Sequence, residues 1–255
     1  MSEGTEHAAK PEAPTAAQQL RAYSVHVYTA SGIAFAFGAA MEICSAIPDP
    51  RHVFLLLLCA VLVDATDGTL ARRWHVKRWA ATIDGRTIDD IVDYLTYTFL
   101  PLLLMWRMGW VAEPSGLWII PALIASLFGF SNRGAKDETS GFFLGFPSYW
   151  NVVAFYGGLW RVPGGPWINA ALLIALAVLT VLPVRFLYPN LTPRPWRTPI
   201  LLGAFVWMLT LAAILWAYPN APLWLILLSL LYPVFYTAVS IGTDARWRRD
   251  ELKHH

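Results

Sequence analysis

Apolar runs of roughly 17 to 25 residues recur from about residue 30 to residue 241, each long enough to cross a ~30 Å hydrocarbon layer as a helix. A helix satisfies its own backbone donors and acceptors, which lipid cannot do, so the expected fold class is an all-α polytopic membrane protein. Composition agrees: of 255 residues 56% are hydrophobic and 14% charged, far from the balance of a soluble domain. The runs leave no room for a separate soluble domain.

Hydropathy places eight helices near residues 28–47, 53–71, 88–106, 116–133, 147–161, 167–186, 198–217 and 221–241. Aspartates dilute the second and third, and the stretch GFPSYWN dilutes the fifth. The layout expected is a flexible tail and the start of an interfacial segment over 1–23, a transmembrane core over 24–190, two added helices over 191–241 and a charged tail over 242–255. With the N-terminus in the cytoplasm, sixteen of the 19 Lys and Arg fall on inside segments and only Arg51, Arg107 and Arg161 outside, which predicts both termini inside. The first 20 residues hold no short apolar stretch before a small-residue cleavage site, so no cleaved signal peptide is expected. Cys44 and Cys59 lack metal-ligand spacing and read as small core residues. No internal repeat of broken helices supports a secondary transporter. Glu42, deep in the first run, is expected near the outer interface, bonded to a neighbouring helix.

The stretch VDATDGTLARRWHVKRWAATIDGRTIDDIVDYLTY sets Asp64, Asp67, Asp89 and Asp93 beside or inside two such runs. On a helix Asp64, Asp67, Gly68 and Ala71 stack on one face, and Gly85, Asp89 and Asp93 repeat the geometry on the next. Carboxylates at membrane depth must be paired, protonated or metal-bound. Pairing with Arg72, Arg73, Lys77, Arg78 and Arg86 in an interfacial ion network is one reading. The other is a site for hard divalent cations, Mn²⁺ or Mg²⁺, which an all-oxygen donor set suits; two ions would neutralise a pyrophosphate. Asp84 and Asp90 read as capping or surface carboxylates.

The pattern Asp64-x2-Asp67-Gly68-x2-Ala71-Arg72 followed by Gly85-x3-Asp89-x3-Asp93 resembles the signature of the CDP-alcohol phosphatidyltransferases. The resemblance implies that Asp64, Asp67, Asp89 and Asp93 bind two divalent ions and that Asp93 is the general base. It also implies that Asp64, Gly68, Ala71, Arg72 and Gly85 form the nucleotide region, that CDP-diacylglycerol is the donor, and that the enzyme is a homodimer. Twelve residues separate Arg72 from Gly85, a longer gap than the common family spacing. That gap, with SVHVYTASG, GFFLGFPSYWN and LPVRFLYP, is similar to the bacterial phosphatidylcholine synthase branch, which uses choline as acceptor. The implied location is the bacterial inner membrane with the site on the cytoplasmic side; no nucleic acid is expected as partner.

A quaternary ammonium is recognised by aromatic faces and a nearby carboxylate. The candidates are Tyr149 and Trp150, then Phe143 and Tyr188, with Glu138; each aromatic also fits packing or interfacial anchoring. Candidates for the lipid phosphates are Asn132, Arg133, Lys136 and Arg185, which positive-inside charge explains equally well. His26 reads as an interfacial histidine or a headgroup contact. The rival acceptors are serine and glycerol phosphate, and the rival class is a cation transporter.

Overall fold

The computed structural model describes residues 14–132, 134, 136–137, 142–159, 162–187 and 195–254. Thr15 opens α1 (Ala16–Ala30) with a capping box: its Oγ1 accepts from Gln18 N, and Gln18 Oε1 accepts from Thr15 N at 2.8 Å. Ser31 keeps a right-handed helical backbone, so α1 runs almost without a break into α2 (Gly32–Ile43) as one 28-residue apolar segment. Helix therefore begins at residue 16, inside the stretch expected to hold a tail and the start of an interfacial segment. Glu42 is accounted for at the far end, where its Oε1 accepts from Asp49 N at 2.8 Å in the turn into α3. Asp49 then caps α3 (Pro50–Arg73), and Pro50 occupies a first-turn position where its missing N–H costs nothing.

After α3 the chain turns through His75, at a left-handed φ of 52°, into the short α4 (Val76–Trp79). The next segment comprises α5 (Gly85–Asp93), a π-helical turn (Tyr94–Phe99) and α6 (Leu100–Arg107). Pro101 cannot donate to the carbonyl of Tyr97 and its ring crowds that group, so the ladder ahead of it widens. There follow α7 (Gly116–Ser131), α8 (Trp150–Gly157), α9 (Gly165–Val181), α10 (Arg197–Ala217) and α11 (Leu223–His254).

The expected all-α membrane fold is observed, with each of the eight expected spans matched by helix, though their lengths differ. Among the described residues four segments are long and apolar enough to cross a membrane: Ala16–Ile43, Pro50–Arg73, Arg197–Ala217 and Leu223–Arg246. Gly116–Ser131 and Gly165–Val181 are shorter apolar helices. The fifth span, expected over 147–161, is only the eight residues of α8, about 12 Å of helix. Its side chains are mostly buried, with Trp150 and Ala154 fully so, because it packs inside the bundle. There its ends need not meet lipid. The charged stretch after residue 241 continues α11 rather than forming a separate tail. Cys44 caps α2 in an exposed position and Cys59 is only partly buried, so neither is the core residue expected.

The core gathers Ile43, Leu57, Leu102, Met105, Trp150 and Leu173 from five helices. By contrast α10 and α11 turn Phe205, Trp216, Leu231 and Val234 outward, each more than 60% exposed, as a lipid-facing surface requires. A small antiparallel sheet departs from the purely helical expectation: β1 (Lys136–Asp137), β2 (Phe142–Leu144) and β3 (Arg185–Leu187), in that order. It pairs the loops that follow α7 and α9, with Phe142 opposite Leu187 and Leu144 opposite Arg185. Gly145 leaves the sheet at φ +82°, and a Cβ there would collide with the carbonyl of Thr180. The sheet holds α11 in turn: Leu187 N donates to Ser240 Oγ at 3.3 Å, and Tyr236 donates its hydroxyl to Leu187 O at 2.6 Å.

Candidate active site

The aspartate motif spreads over two helical segments whose carboxylates converge. Asp64, Asp67 and Gly68 descend one face of α3, and Asp89 and Asp93 lie one turn apart on α5. Asp84 caps α5 by accepting from Arg86 N at 3.0 Å and from the Thr87 hydroxyl at 2.9 Å. The Thr87 bond chiefly holds the Asp84 carboxyl below its usual range. The cap thus anchors the start of the helix that carries Asp89 and Asp93.

Asp64, Asp89 and Asp93, all half-buried, bring one carboxylate oxygen each to within 4.8 Å of one another. Asp67 faces the same cavity but is only 8% exposed, and its Oδ2 accepts from Thr29 Oγ1 at 2.7 Å. Three of the four expected carboxylates thus form one group, while the fourth is held against α1. Three like charges this close repel strongly in a partly dry site. A hard cation relieves that repulsion, and an all-oxygen donor set matches its preference. Asp90 pairs with Arg86 Nε at 3.5 Å.

The group opens into a cavity of about 420 Å³, within the range of small-molecule sites. Gly68 lines it, and a Cβ there would meet nothing closer than Arg72 Nη1 at 3.5 Å. Arg72 also lines it, with Nη2 donating to Thr69 Oγ1 at 3.2 Å. Gly85 and Ala71 do not. The space beside Gly85 is taken by His26, whose Cε1 would lie 2.8 Å from an added Cβ. Ala71 packs beside the cluster of Ala22, Val25, Val76 and Ala80. Both small residues let helices approach each other, so their spacing has a packing cause. His26 is 5% exposed, with Nε2 3.4 Å from Ala80 O, deeper than an interfacial residue.

Of the lipid-phosphate candidates, Asn132 lines the cavity. Arg185 sits on β3, away from the lining. Arg133 lies outside the described residues, and of Lys136 only the backbone is described. Of the aromatic candidates, Tyr149 lines the cavity and is 42% exposed. Trp150 is fully buried, with Nε1 donating to Ser126 Oγ at 2.6 Å, so it is a core residue under the site rather than part of its wall. Tyr188 and Glu138 lie outside the described residues, and of Phe143 only the backbone is described.

Two of the three cavity tyrosines have no counterpart among the residues singled out in the sequence. Tyr97 donates its hydroxyl to Asp64 Oδ2 at 2.7 Å. Its position four residues after Asp93 was the available signal. Tyr236, on α11, has no local signal because it arrives from the far end of the chain.

A helical membrane bundle with a carboxylate cluster lining a cavity, basic and aromatic residues around it, defines a class of integral membrane protein with a charged internal site. No family model matches the chain. Among curated proteins, the chain is 36% identical over 197 residues to the phosphatidylcholine synthase of Pseudomonas aeruginosa, covering 77% of this chain and 80% of that one. It is 35% identical over 210 residues to that of Rhizobium meliloti, 80% of this chain and 83% of the relative. It is 32% identical over 244 residues to that of Brucella melitensis, 90% of this chain and 84% of the relative. The chain belongs to the phosphatidylcholine synthase family.

Proposed function

We propose that this enzyme transfers the phosphatidyl group of CDP-diacylglycerol to choline and releases CMP. The observation that carries the reading is the convergence of Asp64, Asp89 and Asp93 within 4.8 Å in the cavity lining, in a chain of this family. Asp64, Asp89 and Asp93, with Asp67 beside them, would hold two divalent ions, Mn²⁺ or Mg²⁺. Such ions supply neutralisation of a pyrophosphate and polarisation of the phosphorus under attack.

In the proposed reaction Asp93 accepts the proton of the choline hydroxyl. The choline oxygen bonds to the phosphorus that carries diacylglycerol, and the bond from that phosphorus to the bridging oxygen breaks, so the electron pair leaves with CMP. The charges balance without a covalent enzyme intermediate. Arg72 and Asn132, which line the cavity, would contact donor phosphate or nucleotide, and Tyr149 is the favoured contact for the ammonium, ahead of the remaining candidates. The excess of Lys and Arg on one side supports a cytoplasmic site in a bacterial inner membrane with both termini inside. We further propose a homodimer, as the resemblance implies.

The test is purified protein in detergent with CDP-diacylglycerol, Mn²⁺ and labelled choline, serine or glycerol 3-phosphate, following lipid product and CMP. Phosphatidylcholine from choline alone, reduced by about 10² to 10⁴ in Asp93→Asn, is expected. Lipid product from serine or glycerol 3-phosphate in place of choline would move the reading to another acceptor. No product from any acceptor would overturn it in favour of cation transport.

A further inference from the structure

We propose that Tyr236 of α11 completes the acceptor pocket and, with Tyr97 and Tyr149, forms the aromatic wall that selects a quaternary ammonium; this rests on the choline reading above. The three rings come from distant parts of the chain, namely the π-helical turn, the stretch after β2 and the last helix. They line the same cavity as Asp64 and Asp93. The rings of Tyr97 and Tyr149 lie 6.1 Å apart between centroids, inclined at 50°. Tyr236 stacks on Tyr232 at 6.3 Å and 25°, which fixes the plane of its ring.

What these side chains can offer a ligand follows from where their hydroxyls go. The Tyr97 hydroxyl donates a hydrogen bond to Asp64 Oδ2 at 2.7 Å, and the Tyr236 hydroxyl donates one to Leu187 O at 2.6 Å. Each donor is therefore committed to the protein, and the ring is what remains for the cavity. A quaternary ammonium has no N–H to place on an acceptor and is attracted instead by π-faces and by the field of nearby carboxylates. The carboxylate of serine or the phosphate of glycerol phosphate would instead need a donor or a cation, which the committed hydroxyls of Tyr97 and Tyr236 do not supply.

Tyr236 is also held rigidly. Leu187 is fully buried and is bonded to α11 twice, through Tyr236 and through Ser240. Leu187 pairs with Phe142 on β2, the strand that leads through Gly145 to Tyr149. The sheet thus sets one tyrosine relative to another across almost 90 residues of chain. In this arrangement α11 is part of the binding site rather than an addition beside it.

The experiment uses the full chain in detergent and compares wild type, Tyr236→Leu and Tyr236→Phe. The readouts are KM for choline, KM for CDP-diacylglycerol, and the inhibition ratio between a tetraalkylammonium ion and 3,3-dimethyl-1-butanol, the neutral carbon isostere of choline. Tyr236→Leu is expected to raise the choline KM about tenfold and to cut the preference for the cation over the neutral isostere by a similar factor. The KM for CDP-diacylglycerol should stay within about twofold, and Tyr236→Phe should recover the cation preference because it keeps the ring. An unchanged choline KM in Tyr236→Leu, an equal rise for both substrates, or the same loss in the Phe and Leu variants would overturn the inference. If Tyr236→Leu does not fold, Tyr236→Met carries the same comparison. Wild type that makes no lipid from choline would instead sink the parent reading, so the two failures are separable.

Discussion

Tyr97 and Asp64 are joined across two helical segments by a 2.7 Å bond from the phenol to Oδ2, which fixes one carboxylate of the cluster from behind. Groups that orient metal ligands typically change metal affinity 10- to 100-fold when removed. Tyr97→Phe is therefore expected to raise the Mn²⁺ concentration for half-maximal activity by about tenfold or more, with the choline KM nearly unchanged because the ring persists. A Mn²⁺ titration of the purified variant checks this; an unshifted curve would remove Tyr97 from the positioning role.

Thr29 serves Asp67 in the same way, from α1, at 2.7 Å. Thr29→Val leaves a carboxylate that is 8% exposed without that donor, so a loss of roughly 1–3 kcal/mol is expected. Thr29→Ser should recover most of it. Denaturation midpoints of the three proteins in one detergent decide the matter, and equal midpoints for Val and wild type would refute it.

Gly85 meets His26 rather than the cavity. An alanine there would set its Cβ 2.8 Å from His26 Cε1 and 2.9 Å from Nδ1. Gly85→Ala should cost about 1–3 kcal/mol of stability by overpacking, and His26→Ala in the same chain should relieve part of it. Additive effects in the double-mutant cycle would mean the two residues are not coupled.

Trp150 sits under the site, bonded to Ser126 and edge-on to Phe146 at 5.6 Å. Trp150→Phe loses that bond and leaves a cavity, so a stability loss on the order of 1–3 kcal/mol is expected with the choline KM within about twofold. A choline KM raised tenfold at unchanged stability would return Trp150 to the pocket wall.

Asp84 has its carboxyl pKa lowered in the fold, chiefly by the Thr87 hydroxyl. Its contribution to stability is therefore complete above the ordinary value of 3.8 and disappears as pH falls through the lower folded value. The melting difference between wild type and Asp84→Ala should be flat above about pH 5 and shrink only in stronger acid. A difference that already shrinks between pH 7 and 6 would point to another group.

The spacing of Asp64, Asp67, Asp89 and Asp93 was legible because helical periodicity is a local property: residues three and four apart share a face wherever the helix goes. The same logic placed the long apolar segments, since lipid demands length and hydrophobicity of each helix separately. It reached too far at α8, where apolar residues serve burial in protein instead of lipid; composition alone does not separate the two. It also assigned Gly85 and Ala71 to a ligand, when a small residue reads the same whether a nucleotide or another helix fills the space.

By itself, then, the amino-acid sequence determined a polytopic helical membrane protein, the segments that carry the carboxylates, and the family resemblance that names the chemistry. Only the tertiary structure decided which carboxylates gather, with Asp67 drawn to Thr29 while Asp64, Asp89 and Asp93 converge. It alone brought Tyr97, Tyr149 and Tyr236 into one cavity. The physical reason is range. Helix formation and facial alignment are set by neighbours within a few residues, whereas the partner of a hydroxyl and the neighbours of a ring depend on packing between segments far apart in the chain.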